Sequence, residues 1–197
     1  EEGYDSWEDK EAWKNIGGVN AWAGFSLDEK RGILYAPLGS ASYDFYGGKR
    51  LGANLFANSI LALDAATGKK IWHFQTVHHD VWDRDLPTAP ALVTIQKDGK
   101  YIDAIAQPTK SGFIYLLDRT NGQPIYPINE IKVPTQTALV GEKLSPTQPW
   151  PTVMKPFARQ SFTEKDINPL IDPTEQEEIK KKLNALLTGF IFNAPSK

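Results

Sequence analysis

Short runs of apolar residues separated by turn residues fill most of this chain. That texture predicts short strands joined by turns in place of helices. Tyr4 to Ile16 is the exception: Trp7 and Trp13 stand among charges with no clean period, which predicts a lead-in over 1–17 with one helical turn. From residue 18 a hairpin is expected between the Trp22–Phe25 stretch and Ile33–Ala36, across a turn at Asp28–Gly32. A polar loop from Ser40 to Leu55 follows, then strands at Ser59–Asp64 and Lys70–Phe74 about the break Ala65–Gly68. A second group of four is expected at Ala89–Ile95, Ile102–Gln107, Phe113–Leu117 and Pro124–Tyr126.

The two groups are related. Leu63-Asp64-Ala65-Ala66-Thr67-Gly68-Lys69-Lys70-Ile71-Trp72 aligns with Leu117-Asp118-Arg119-Thr120-Asn121-Gly122-Gln123-Pro124-Ile125-Tyr126 at an offset of 54 residues. Leu, Asp and Gly coincide, and an aromatic closes each copy. Asp can accept from turn amides, Gly supplies a positive φ, and the aromatic can cover the strand below. A four-stranded repeat of this kind is the signature of a β-propeller blade, the alternative being two unrelated hairpins with common turn chemistry. Two blades cannot close a ring that needs about four or more, so the chain is expected to be part of something larger.

Beyond residue 126 the texture changes again. Pro127, Pro134, Pro146, Pro149, Pro151 and Pro156 predict an extended run over the surface from 127 to 162. Asp172 then reads as the N-cap of a helix with Pro173 at its first position and acids in its first turn, running to about Leu187 before Gly189. Ile179, Leu183 and Leu186 share one face, a packing face. The expected fold is all-β: two four-stranded blades over 18–126, then a Pro-rich connection, a short helix and the start of a third blade over 127–197.

Composition sharpens this picture. Fifteen Gly, 14 Pro and six Trp suit many turns and short strands and do not suit a helical bundle. With 22 Lys+Arg against 24 Asp+Glu the net charge is -2 and the signs are scattered, so no basic stripe marks a nucleic-acid partner. The absence of cysteine excludes a disulfide framework, a zinc ribbon and a thiol nucleophile. No apolar run approaches the roughly 18 residues of a membrane span. The charged start Glu1-Glu2-Gly3-Tyr4-Asp5 is not that of a signal peptide, so the chain as written is expected to be soluble.

Candidate chemistry concentrates in Thr76-Val77-His78-His79-Asp80-Val81-Trp82-Asp83-Arg84-Asp85, directly after a blade-closing strand. A solvated loop with internal ion pairs would also account for it. Adjacent histidines in extended chain point to opposite faces, which argues against a zinc site at His78, His79 and Asp80. An Asp beside Trp can be a buried carboxylate acting as general base or as ligand to calcium, and Asp83 is the best placed of the three.

These residues carry a family resemblance. Trp22 in Asn20-Ala21-Trp22-Ala23-Gly24, the motif Ala62 to Trp72, His78-His79-Asp80-Val81-Trp82-Asp83, Pro108-Thr109-Lys110-Ser111-Gly112 and Ser145-Pro146-Thr147-Gln148-Pro149 resemble the pyrroloquinoline-quinone (PQQ)-dependent dehydrogenases, closest to the membrane-type glucose dehydrogenase branch. The resemblance covers most of residues 18 to 160 and implies part of an eight-bladed propeller that oxidises a sugar, polyol or alcohol. It also implies PQQ and calcium as cofactors, ubiquinone or a cytochrome as electron acceptor, the remaining blades as structural partners, and a periplasmic location. By position Asp83 resembles the general base and a calcium neighbour. Lys110, 27 residues later, resembles the Lys or Arg on the quinone oxygens, and Trp22 the floor under the planar cofactor. Eighteen residues after Trp22, Ser40 stands where alcohol dehydrogenases of the family have a calcium-ligating Asn, a weaker donor for calcium. Non-catalytic propeller scaffolds of outer-membrane assembly share the blade motif but have no need of Trp22, Asp83 and Lys110 together. Cut from its ring, the chain is expected to bind the quinone weakly or not at all and to be inactive.

Overall fold

The computed structural model describes residues 1–195. Two 3-10 turns, Tyr4–Ser6 and Ala12–Lys14, occupy the lead-in. The first sheet is four antiparallel strands in sequence order, β1 (Ser26–Asp28), β2 (Ile33–Pro37), β3 (Ser59–Asp64) and β4 (Lys70–Gln75). Trp22 and Phe25 lie before β1 and are exposed, so the hairpin begins later than the apolar pattern implied.

The second sheet departs from expectation. It has β5 (Ala91–Lys97), β6 (Lys100–Pro108) and β7 (Ile114–Asp118), and in place of a fourth strand a single bridge from Leu117 to Pro124. Pro124 and Pro127 bracket Ile125 and Tyr126, and neither proline has an N–H to give the ladder. The repeat still holds in geometry. Leu63 pairs with Lys70 as Leu117 pairs with Pro124, both pairs at the offset of 54 residues. In each turn the Asp accepts from an amide two residues on, Ala66 N–H to Asp64 at 3.1 Å and Thr120 N–H to Asp118 at 2.7 Å.

The sheets meet over one apolar core of Ile33, Tyr35, Ile60, Trp72, Leu86, Ile105 and Leu117. Trp72 Nε1 and the Tyr35 hydroxyl both donate to the Arg119 carbonyl, at 3.0 and 2.9 Å, so the closing aromatic of the first sheet docks on the turn of the second. Gly122 makes room for it: a Cβ there, at φ +72°, would sit 2.5 Å from the Trp72 ring. Gly122→Ala is expected to lower stability by about 2 kcal/mol or more through left-handed strain plus displacement of Trp72. Gly68→Ala, at φ +71° with open space around it, isolates the strain, so thermal unfolding of the two variants should differ.

An ion network spans the same junction. Asp28 pairs with Arg31 at 2.8 Å and with Arg119 at 3.2 Å, and Arg31 reaches Asp103 on β6 at 2.5 Å. Burial pushes the Asp28 carboxyl up, but the two guanidiniums more than offset it and hold it below the usual carboxylate range.

Residues 127–162 do not simply run over the surface. β8 (Ile128–Lys132) and β9 (Thr147–Pro151) pair as an antiparallel hairpin. The helix, α1 (Pro173–Asn184), is capped by Asp172 as expected but ends three residues short of Leu187. Its last turn closes through Ala185 N–H to Lys182 and Leu186 N–H to Leu183, and Leu186 and Leu187 stand in solvent instead of packing. Phe190 and Phe192 then fold back on Trp82 and Trp150, and Trp82 Nε1 donates to the Asn193 carbonyl at 2.6 Å. No helix among the described residues is long and apolar enough to cross a membrane.

Candidate functional site

The 76–85 loop leaves β4 and is fixed from within by Asp80. That carboxylate is 2% exposed and accepts from Ser40 Oγ (2.5 Å), Asn58 Nδ2 (2.8 Å), Trp82 N–H (2.8 Å) and Arg84 N–H (2.6 Å). The buried carboxylate beside Trp82 is therefore Asp80, and Asp83 is a half-exposed one. Arg50, itself buried, donates to the carbonyls of Asp80 and Tyr43 and ties the long polar loop beneath. The two histidines diverge. His78 faces Gln75 and Glu130, whereas His79 is enclosed between the Gly52 carbonyl at 2.8 Å and Glu142 at 2.7 Å.

The geometry then draws distant segments together. Lys110 Nζ lies 2.9 Å from Asp83 Oδ2, 2.9 Å from Asp85 Oδ2 and 5.8 Å from the centroid of the Trp22 ring. Trp22, Asp83 and Lys110 thus occupy one place, joined by Asp85, which the sequence reading passed over. The Asp-Arg-Asp spacing was the available signal: carboxylates two residues apart can both reach one ammonium. Ser40 N–H donates to Asp85 Oδ1 at 2.5 Å, and Gly39 clears the ground, since a Cβ there would lie 2.9 Å from Asp85 and 3.1 Å from Trp22 Nε1.

The pair of acids is split electrostatically. Burial and the neighbouring Asp85 charge push the Asp83 carboxyl up against the pull of Lys110. Burial also acts on Asp85, but Lys110 and the Ser40 N–H hold it below the usual range. Lys110 loses hydration, yet both carboxylates raise its basicity. Their environments thus diverge, Asp83 being the more basic carboxylate of the two.

Ser40 faces Asp80, donating its hydroxyl there and accepting from Asn58 Nδ2 at 3.2 Å; its link to Asp83 runs through Asp85 and Lys110. Among the described residues no group of three or more His, Cys, Asp or Glu side chains forms a candidate metal centre. Asp83 and Asp85 offer carboxylate oxygens suited to a hard cation, a partial ligand set. The Trp22 ring, 52% exposed, with the Lys110 ammonium over it at 5.8 Å from its centroid and Gly39 clearing space beside it, fits a planar, oxygen-rich cofactor.

Comparison with known proteins decides the family. Residues 1–197 match the PQQ glucose/ethanol/alcohol dehydrogenase β-propeller domain. The chain belongs to this family. The quinoprotein glucose dehydrogenase of Escherichia coli (strain K12) is 45% identical over 132 residues, covering 66% of the chain and 16% of that protein. The quinate/shikimate dehydrogenase (quinone) of Acinetobacter baylyi is 42% identical over 152 residues, 76% of the chain and 18% of that protein. Among solved structures, the quinohemoprotein alcohol dehydrogenase of Comamonas testosteroni superposes with a TM-score of 0.60 at 28% identity, over 77% of the chain and 22% of that one. The chain thus spans under a quarter of the length of these PQQ dehydrogenase relatives and is part of a β-propeller domain.

Proposed function

We propose that this chain forms the part of a PQQ-dependent dehydrogenase that carries its general base, its quinone-binding lysine and its cofactor floor. The complete protein would oxidise a sugar, polyol or alcohol in the periplasm and pass electrons to ubiquinone or a cytochrome. One observation carries the reading: Trp22, Asp83 and Lys110, from three separate segments, converge at Lys110 Nζ. Trp22 would support the PQQ ring, Lys110 would hold its oxygens, and Asp83 and Asp85 would face calcium. PQQ supplies the two-electron acceptor, with calcium as the Lewis acid beside it. Asp83 takes the substrate hydroxyl proton, and its raised basicity suits that work better than an ordinary carboxylate's. Lys110 keeps positive charge where negative charge develops. Ser40 serves by anchoring Asp85 and Asp80.

The test is reconstitution of the full-length protein with PQQ and calcium, followed by dye reduction with a panel of sugars and polyols. Saturable, PQQ-dependent reduction is the expected result; none with any substrate overturns the reading. A finer check follows from the split acids. Asp85→Asn removes a like charge from Asp83 and leaves Lys110 to it alone, so the Asp83 carboxyl falls. Turnover needs Asp83 ionised, and the acid limb of the kcat profile should therefore move to lower pH. An unmoved or upward-moved limb would assign that limb to another group.

A further inference from the structure

We propose that Arg84 and Arg159 form a carboxylate-binding pocket beside the Asp83–Lys110 pair, and that it receives the carboxylate of a polyhydroxylated acid substrate. The proposal rests on the dehydrogenase reading above and narrows its substrate class.

Arg84 directly follows Asp83, and its Nη1 donates to the Lys110 carbonyl at 3.0 Å, so its guanidinium stands behind the same lysine. Nη2 reaches the Ile191 carbonyl at 3.4 Å, which fixes the plane of the group. Its Nε is buried and has no partner. An orphaned donor of this kind is unfavourable until something accepts from it. Burial disfavours the Arg84 charge, and Asp80 and Asp83 offset that only in part.

The guanidinium lines a cavity of about 290 Å³ whose walls include Arg159, Gln160, Phe162, Thr188 and Phe190. No Asp or Glu is in that lining, so the counter-charges of its two cationic groups, Asp166 for Arg159 and Asp80 and Asp83 for Arg84, stand outside it. The carboxylate nearest Arg159, on Asp166, lies 3.7 Å away, and its other oxygen is taken by the Thr163 N–H and hydroxyl. Gln160 Oε1 is a second buried orphan in the wall, an acceptor that a ligand hydroxyl would satisfy. Phe162 and Phe190 supply apolar walls for a ring. A neutral polyol could bond the amide but would add no charge to the partial compensation that these acids give the two guanidiniums. A carboxylate answers paired guanidiniums in charge and in geometry. The volume suits a small molecule at the lower end of ligand sites.

A carboxylate could also come from the cofactor, and the experiment separates the two sources. Calorimetry on the cofactor-free full-length protein compares quinate, a polyhydroxylated ring acid, with myo-inositol, a neutral ring polyol. Quinate should bind and inositol should not, and Arg159→Ala, at an exposed position, should weaken quinate about tenfold or more. Arg84→Gln provides the second variant. In the loaded enzyme, Arg159→Ala should lower the quinate-to-glucose ratio of kcat/KM by a similar factor. Equal binding of the two ring compounds overturns the proposal. So does a variant that weakens PQQ in a parallel titration while sparing quinate. Quinate binding without any dye reduction would support the pocket and overturn the dehydrogenase reading, so the two failures are told apart.

Discussion

Asp83→Asn in the full-length protein is expected to lower dye-linked turnover by about 10²- to 10⁴-fold while PQQ stays bound. The substitution keeps the side chain's shape and removes its ability to take a proton. It should also keep the fold, because Asp83 sits at φ 56°, in the left-handed region that Asn tolerates as well as Asp does. Lys110 retains its second bond, to Asp85, so the ammonium stays beside Trp22. Turnover and PQQ content are measured on the same preparation. Near-full activity would move the base elsewhere, with Asp85 the next candidate. Loss of PQQ along with activity would make Asp83 a cofactor ligand first and a base second.

Much of the first sheet was legible because its strands announce themselves in apolar runs closed by Asp and Gly turns. The repeat was legible for the same reason, and its two copies also share the Leu63–Lys70 and Leu117–Pro124 pairings. Prolines hid the rest. Pro124 suggested a strand by its alignment with Lys70 but withholds the N–H that a strand needs. In β9 the error ran the other way. Pro149 and Pro151 read as part of an extended surface run, yet they are two residues apart and lie on one edge, leaving Gln148 and Trp150 free to face β8. Within the site, Trp22, Asp83 and Lys110 could be named from the family resemblance, and the structure brings them together. Asp85 and Asp80 could not be ranked from sequence. What distinguishes them is burial and the donors from Ser40 and Asn58, which arrive from other segments with no local period to betray them.

Asp80 supports the second large expectation. Asp80→Ala should destabilise the protein by about 3–5 kcal/mol, because it leaves several buried donors unpaired at roughly 1–3 kcal/mol each. The alanine leaves four donors facing a void: Ser40 Oγ, Asn58 Nδ2 and the N–H groups of Trp82 and Arg84. Two of these are backbone donors within the 76–85 loop, so the loop that presents Asp83 and Asp85 loses its internal anchor as well. Asp80→Asn should fall between, because the amide keeps one acceptor oxygen but turns an NH2 toward Asn58 Nδ2 and Arg84 N–H, which also donate. Asp64→Ala is the control: its carboxylate also accepts from turn groups, at Ala66 and Thr67, but on an exposed surface, and water can replace it. Denaturant midpoints of the three variants should rank Asp80→Ala lowest, Asp80→Asn next and Asp64→Ala nearest to the parent. If Asp64→Ala costs as much as Asp80→Ala, burial is not what gives Asp80 its weight, and the loop is held by the aromatic packing of Trp82 on Phe192 instead.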